Sequence, residues 1–215
     1  DGERVTRERE TVDWNAEETV KGQYDHFMLK EIDSQPDAIS NTLQGRVKEG
    51  EVVLEDFPPG TFEGVTDVQF VACGTSYHAG LYASRLLNKR DVPATAHRAS
   101  EYASGDIPVS EDTLVVAVTQ SGETADTLGA LRQAQAKGAR TTAVTNVVGS
   151  TAAREADDAL FIRAGPEIGV AATKTFSSQV ATLGLLAERM RLDHDAGATP
   201  DEAFLTGLQS IPSAV

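Results

Sequence analysis

The chain has 215 residues, of which 40 % are hydrophobic and 24 % charged. These values are typical of one large globular domain and exclude a wholly disordered, collagenous or coiled-coil chain. Acidic residues outnumber basic ones, 33 against 19, for a formal net charge of -14, so the surface should repel nucleic acids and anionic membranes, which bind through positive charge.

Two further features narrow the class of protein. The single cysteine excludes an internal disulfide and a multi-cysteine metal site. The longest apolar run, residues 114–118, is far short of the roughly 20 residues that span a bilayer. The excess acidic residues are scattered and lysine is scarce, a pattern that favours a protein working in high salt, where the Debye length falls to roughly 3 Å and self-repulsion is screened. An ordinary acidic protein is the alternative.

The first fifteen residues are polar and charged, with Trp14 as the only large ring, and are typical of a linker. The start at Asp1 has neither an initiator Met nor an apolar stretch, which indicates a beginning inside a longer protein rather than a signal peptide. From Ala16 the apolar residues recur at helical spacing and predict a helix over residues 16–32. The residues that carry this pattern are Val20, Tyr24, Phe27, Met28 and Ile32.

A second helix is predicted after Pro36, ending near Arg46, and the breaker cluster at residues 57–60 is a predicted boundary. Beyond it, short apolar runs alternate with helical patterns, of which the 4-3-4-3 series from Phe176 to Met190 is the clearest. The predicted strands are residues 68–72, 94–98, 114–118, 141–145 and 159–163. This alternation predicts an α/β fold, a five-stranded parallel sheet with helices on both faces, in which ligands bind beyond the carboxyl ends of the strands.

Two of the predicted strand-to-helix loops, residues 73–76 and 119–124, combine glycine with serine and threonine. Glycine allows close backbone approach, the hydroxyls are donors, and a helix N-terminus presents free N–H groups and a positive dipole end. Together they suit a phosphate monoester. The alternative for either loop alone is simple helix capping, which serine and threonine commonly provide.

Other kinds of site have little support in the sequence. Neither a P-loop nor a Gly-x-Gly-x-x-Gly after a strand is present, and the four histidines lack metal-ligand spacing. We interpret Cys73 and His78 as structural residues. In the segment 163–175, Glu167 could be a base and Lys174 an amine or phosphate partner, but a salt-bridged loop that positions the following helix is the favoured interpretation.

The strings VACGTSYHAG at residues 71–80, QSGETADT at 120–127 and AGPEIGVA at 164–171 resemble the glutamine–fructose-6-phosphate aminotransferases, also called glucosamine-6-phosphate synthases. The resemblance includes FMLKEI at 27–32, Gln35-Pro36 and NVVGS at 146–150, so it runs from about Tyr24 to Met190. The family has a glutaminase domain and two tandem sugar-isomerase (SIS) domains. The chain resembles only the linker helices (1–60), the first SIS domain (61–195) and the start of a connection to the second (196–215).

The resemblance implies a three-layer αβα sandwich of flavodoxin-like type and a site for a sugar phosphate. By resemblance, the phosphate is held by Ser76, Thr119, Gln120, Ser121 and Thr124. Thr75 and Val170 line the sugar. Two positions depart from the family pattern: Thr119 replaces a serine and keeps its hydroxyl, whereas Ala172 replaces a serine and loses it.

The family converts fructose 6-phosphate and glutamine into glucosamine 6-phosphate and glutamate. The resemblance implies a cytoplasmic homodimer with no metal or organic cofactor. Its glutaminase cysteine and the isomerising glutamate and lysine have no counterparts here, so we predict no catalytic residue and no synthase activity in this chain. The alternatives are another SIS deaminase or isomerase of amino-sugar phosphates, or a non-catalytic sugar-phosphate sensor.

Overall fold

A computed structural model describes residues 19–215 of the chain. The predicted linker, Trp14 and the first residues of the predicted helix 16–32 lie outside this range. The elements in chain order are α1 (Phe27–Asp33), α2 (Gln35–Leu43), β1 (Val47–Lys48), β2 (Glu51–Val52), β3 (Asp67–Ala72), α3 (Gly74–Asn88), β4 (Ala94–Arg98), α4 (Ala99–Tyr102), β5 (Thr113–Val118), α5 (Ala125–Ala136), β6 (Arg140–Thr145), α6 (Thr151–Glu155), β7 (Asp158–Phe161), α7 (Lys174–His194) and α8 (Glu202–Ala214).

Five parallel strands form the central sheet in the order β4-β3-β5-β6-β7. All six residues of β5 are buried, which explains why its sequence is continuously apolar rather than alternating. The strand order first runs outward from β3 to β4 and then returns past β3 to β5. The α/β fold and the five predicted strands are confirmed, with small shifts at the strand ends.

Helices cover both faces of the sheet. On one face Leu114 and Val116 of β5 share a cluster of buried side chains with α2, α3, α7 and α8. On the other face Val115 and Ala117 pack with Ala130 and other residues of α5. Because alternate residues of one strand point to opposite faces, α3 and α5 lie on opposite sides of the sheet. The three-layer arrangement is therefore confirmed.

The N-terminal helix differs from the prediction. Helix α1 begins only at Phe27, so Val20 and Tyr24 lie outside it. The predicted helix is therefore wrong for residues 19–26 and confirmed for residues 27–32. Gly22 has a φ of 62°, a left-handed conformation that interrupts a right-handed helix. Val20 also does not belong to a buried helix face, because its side chain is 54 % exposed.

Helix α2 ends at Leu43 and gives way to the β1–β2 hairpin, which the sequence did not predict. The Thr42 hydroxyl donates to the Ile162 carbonyl at 2.6 Å, and the Arg46 guanidinium donates to the Phe161 carbonyl at 2.5 Å. These bonds fasten the end of α2 to the end of β7.

Helix α8 occupies most of the segment 196–215 and packs on the same core. Asp201 caps α8 by accepting a hydrogen bond from the Phe204 N–H at 3.0 Å. Leu205 and Leu208 are buried in the cluster that contains α2 and α7. The division of the chain at residues 60 and 195 stays a prediction. Within residues 19–215, no helix combines the length and the apolarity that a membrane crossing requires.

Candidate functional site

The two glycine- and hydroxyl-rich loops come together where the strand order reverses. Strands β3 and β5 are neighbours, and the helices that follow them, α3 and α5, go to opposite faces of the sheet. A crevice therefore opens beyond the carboxyl ends of these two strands, as in other doubly wound sheets. Loops 73–76 and 119–124 form two of its walls.

An open pocket of about 150 Å³ occupies this crevice. All seven residues predicted for the site line it, brought together from three separate parts of the chain. The lining residues are Cys73, Thr75, Ser76, Val118, Thr119, Gln120, Ser121, Thr124, Thr127, Glu167, Gly169, Val170 and Ala172. Their roles in binding stay a prediction.

Loop 119–124 is folded back on itself by its own side chains. The Thr119 hydroxyl accepts a hydrogen bond from the Gly122 N–H at 3.2 Å and lies 3.3 Å from the Thr124 hydroxyl. The Ser121 hydroxyl accepts from the Glu123 N–H, also at 3.2 Å. These hydrogen bonds bring the hydroxyl groups of Thr119, Ser121 and Thr124 together at one end of the pocket.

Glycine is required at the tip of this loop. Gly122 has a φ of 71°, and a Cβ built on it would lie 2.1 Å from the Ser150 hydroxyl oxygen. The Gly122 carbonyl accepts from the Ala152 N–H at 3.0 Å. The loop thus packs directly on the start of α6, which is possible only without a side chain at residue 122.

Glu123 ties the same loop to α6 through its carboxylate. It accepts hydrogen bonds from the Thr151 N–H at 2.8 Å and from the Thr151 hydroxyl at 2.7 Å. These two bonds stabilise the ionised form and hold the pKa of Glu123 below its usual range. Glu123 therefore holds the loop in place and does not point to acid–base chemistry.

The start of α3 forms part of the other wall of the pocket. Gly74 begins this helix with a φ of 57°. Within residues 19–215, no side chain caps the N-terminus of α3, and its first turn contains no acidic residue. The N–H groups at the start of α3 and its positive dipole end consequently have no acidic side chain beside them in the first turn of the helix.

The third wall is the loop between β7 and α7, which Glu167 anchors to the helix. One carboxylate oxygen accepts from the Thr173 N–H at 2.8 Å and from the Thr175 N–H at 3.3 Å. Both carboxylate oxygens also accept hydrogen bonds from the hydroxyls of these threonines. The Glu167 carboxylate thus holds the N-terminus of α7, where Thr173 is the N-cap residue, and positions this helix as expected.

Two residues that sequence reasoning did not select hold this third wall. Asn146, just after β6, accepts from the Ala164 N–H at 3.0 Å and donates to the Gly165 carbonyl at 2.7 Å. Glu31 of α1 accepts from the N–H groups of Ile168 and Gly169. Both residues lie in strings that resemble the family, and that resemblance was the only signal that could have found them.

The structural interpretation of Cys73 and His78 agrees with their surroundings. The Cys73 sulfur lies 3.9 Å from the Thr127 hydroxyl, and the His78 ring packs edge-on against Tyr77 at 5.4 Å. Across residues 19–215, His, Cys, Asp and Glu side chains form no group of three or more suited to holding a metal ion.

Comparisons with known proteins agree with this architecture. Residues 64–189 match the SIS domain family. The chain is 54 % identical over its whole length to a glutamine–fructose-6-phosphate aminotransferase (isomerizing) from Halobacterium salinarum, of which it covers 37 %. An enzyme of the same name from Methanosarcina acetivorans is 45 % identical over 96 % of the chain, which covers 34 % of that protein. The chain thus spans about a third of the length of these relatives.

Solved structures give the same answer. The C-terminal domain of glucosamine-fructose-6-phosphate aminotransferase from Francisella tularensis superposes with a TM-score of 0.83 at 37 % identity, over 90 % of this chain and 56 % of that one. A glucosamine-6-phosphate deaminase from Thermotoga maritima superposes with a TM-score of 0.68 at 25 % identity, over 87 % and 54 % of the two chains.

These findings confirm the resemblance stated from the sequence strings. The Halobacterium relative also fits the high-salt setting that the acidic composition predicted. The family match covers more than half of the residues and coincides with the five-stranded sheet and its two hydroxyl-rich loops. The chain belongs to the SIS domain family.

Proposed function

We propose that this chain is the first SIS half of a glutamine–fructose-6-phosphate aminotransferase and that its pocket binds the phosphate of fructose 6-phosphate. The observation that carries the proposal is the convergence of loops 73–76 and 119–124 at the strand-order reversal. The intact enzyme would convert fructose 6-phosphate and glutamine into glucosamine 6-phosphate and glutamate, act in the cytoplasm and form a homodimer, as the resemblance implies.

The phosphate would be held by neutral donors. The hydroxyls of Ser76, Ser121 and Thr124 and the free N–H groups of α3 surround the place where its oxygens would lie. The lining residues include neither lysine nor arginine. Hydrogen bonds and a helix dipole at short range are screened less by salt than distant charges are. Such a site suits an acidic protein in concentrated salt.

The sugar would extend toward Thr75 and Val170, which line the other side of the pocket. Ala172 also lines it and contributes no hydroxyl, at a cost of about 1 kcal/mol if a hydrogen bond is made there by the serine of relatives. We assign the chain no catalytic group: Glu167 is occupied by the N-terminus of α7. The isomerisation would need the remaining part of the longer enzyme.

A second candidate is a deaminase or isomerase of amino-sugar phosphates. The similarity to the glucosamine-6-phosphate deaminase from Thermotoga maritima favours it. This candidate shares the phosphate site and differs in the reaction. Assay of the intact protein for formation or release of ammonia distinguishes the two.

Calorimetric titration of the chain in molar KCl tests the proposed site. Fructose 6-phosphate and glucose 6-phosphate should bind saturably, and unphosphorylated fructose should not. Replacing Ser121 by Ala should weaken binding about tenfold or more, because hydrogen bonds to charged groups contribute about 1.5–3 kcal/mol. The matched control is Ser213→Ala on the exposed side of α8, which should bind as the unmodified chain does.

Absence of saturable binding of either phosphate by the folded chain would overturn the proposal. Equal binding of fructose would also overturn it, because the site would then recognise the sugar rather than the phosphate.

A further inference from the structure

Helix α1 has a single buried side chain, and this side chain is a carboxylate. Glu31 is 3 % exposed, whereas Met28, Leu29 and Ile32 of the same helix are 40–46 % exposed. Burying a carboxylate and exposing its apolar neighbours is the reverse of the usual preference. It is stable only where the charge has hydrogen-bonding partners, so the partners of Glu31 explain why α1 has this orientation.

Those partners are backbone N–H groups of the loop that lines the pocket. One carboxylate oxygen of Glu31 accepts from the Ile168 N–H at 2.6 Å and from the Gly169 N–H at 2.9 Å, and its other oxygen lies 3.2 Å from the same Gly169 nitrogen. A Cβ built on Gly169 would lie 2.3 Å from the carboxylate. The glycine thus allows the close approach that the two bonds require.

We propose that Glu31 is a positioning residue that sets the place of Val170 and therefore the sugar-facing wall of the pocket. The inference rests on the proposed function and deepens it. Val170 directly follows the two N–H groups that Glu31 holds, and its side chain is fully exposed at the pocket. Glu31 does not itself line the pocket, so it acts through the loop.

The remainder of the loop is anchored elsewhere, which isolates the contribution of Glu31. Asn146 holds the loop at Ala164 and Gly165, and Glu167 bonds to Thr173 and Thr175 at the start of α7. Between these anchors, Glu31 supplies the bonds to residues 168 and 169. Removing its charge should therefore free residues 168–170 without disturbing either end.

Loops 73–76 and 119–124 follow β3 and β5, whereas the hydrogen bonds of Glu31 go to Ile168 and Gly169 of the third wall. Loss of Glu31 should consequently weaken recognition of the sugar while leaving recognition of the phosphate unchanged. This selectivity separates a positioning role from a purely structural one, because general destabilisation would affect both ligands alike. It also assigns a role at the site to a residue outside the part of the chain that matches the SIS family, residues 64–189.

The experiment compares the 215-residue chain with Glu31→Gln and Glu31→Ala in molar KCl. The matched control is Glu51→Gln, a change at an exposed carboxylate on β2. Fructose 6-phosphate and inorganic phosphate are titrated into each protein, and amide hydrogen exchange is measured at Ile168 and Gly169. The Gln variant keeps the size of the side chain, so it supplies the result if the Ala variant fails to fold.

For Glu31→Gln we expect a loss of affinity for fructose 6-phosphate of about tenfold, the scale of one charge-assisted hydrogen bond. Affinity for inorganic phosphate should stay within a factor of about two of that of the unmodified chain, a smaller change than the loss of one hydrogen bond would cause. Exchange at residues 168 and 169 should be faster, and the Glu51→Gln control should change none of these quantities.

Equal losses for the two ligands, or unchanged binding of fructose 6-phosphate despite faster exchange, would overturn the positioning role alone. If the unmodified chain binds no fructose 6-phosphate, the proposed function fails and this inference fails with it. The unmodified protein therefore distinguishes the two kinds of failure.

Discussion

Replacing Gly122 by alanine tests whether the conformation of loop 119–124 requires a glycine at this position. Gly122 has a φ of 71°, and the added Cβ would lie 2.1 Å from the Ser150 hydroxyl oxygen, 2.3 Å from the Ser150 Cβ and 3.1 Å from the Thr145 hydroxyl. Ser150 cannot withdraw freely, because it is buried and its hydroxyl accepts a hydrogen bond from the Ala153 N–H as the cap of α6. The loop and the start of α6 cannot both keep their positions.

The expected cost has two parts. An L-residue in the left-handed region costs about 1–2 kcal/mol relative to glycine. Displacing Ser150 adds about 1–2 kcal/mol, through the lost cap and local overpacking. The free energy of unfolding should therefore fall by about 2–4 kcal/mol. Binding of fructose 6-phosphate should be lost, because Ser121 and Thr124 flank the displaced residue.

Urea denaturation in molar KCl measures the loss of stability, and calorimetry measures the loss of binding. The matched control is Gly129→Ala, at an exposed position of α5 where an added Cβ meets nothing within 4 Å. That change should stabilise the chain by about 0.5–1 kcal/mol, because alanine favours a helix interior over glycine. If Gly122→Ala proves as stable as Gly129→Ala and binds ligand equally well, the argument from steric contact and φ is refuted.

Two further predictions concern the carboxylates that hold elements together. Glu188→Ala should lower the free energy of unfolding by about 3 kcal/mol, because fully buried Glu188 pairs with Arg90 and Arg191 and accepts a hydrogen bond from the Asp201 N–H. Urea denaturation measures this loss of stability. A loss no larger than that of Glu51→Ala, at an exposed position, would contradict the prediction. Hydrogen bonds from Thr151 lower the pKa of Glu123 in the folded chain. The stability that ionised Glu123 gives the folded chain should therefore be complete above the unfolded pKa of about 4.3 and lost as the pH falls through the lower native pKa. The melting temperature, measured at a series of pH values, should therefore fall more steeply below about pH 5 for the unmodified chain than for Glu123→Gln. Parallel profiles of the two proteins would contradict the stabilising role of Glu123.

The strands were predictable because their signal is local. Every residue of β5 is buried, so the sequence there must be apolar without interruption, and no partner needs to be known to recognise it. The position of the two glycine- and hydroxyl-rich loops after neighbouring strands was predictable for a similar reason, and their binding of phosphate stays a prediction. Glycine and hydroxyl residues between a strand and a helix usually serve either to cap the helix or to bind an anion. Two such loops after neighbouring strands favour anion binding over simple capping.

The N-terminal region shows where periodicity fails. Val20 and Tyr24 continue the helical spacing of Phe27 and Met28, yet α1 begins only at Phe27. Spacing predicts a helical face that could be buried, but burial requires a partner surface, and Val20 is largely exposed. The β1–β2 hairpin was missed because each strand has two residues, too few to produce a pattern.

The sequence by itself determined the α/β class, the place of the two glycine- and hydroxyl-rich loops and the family, because each depends on contiguous residues whose chemistry can be read directly along the chain. Only the tertiary structure decided that Glu31, Asn146 and Glu167 hold the third wall of the pocket. Glu31 bonds to residues more than one hundred positions away, through backbone N–H groups that every residue except proline possesses. A hydrogen bond of this kind requires no particular residue type at the donor position, so it cannot be predicted from the sequence and is seen only in the folded structure.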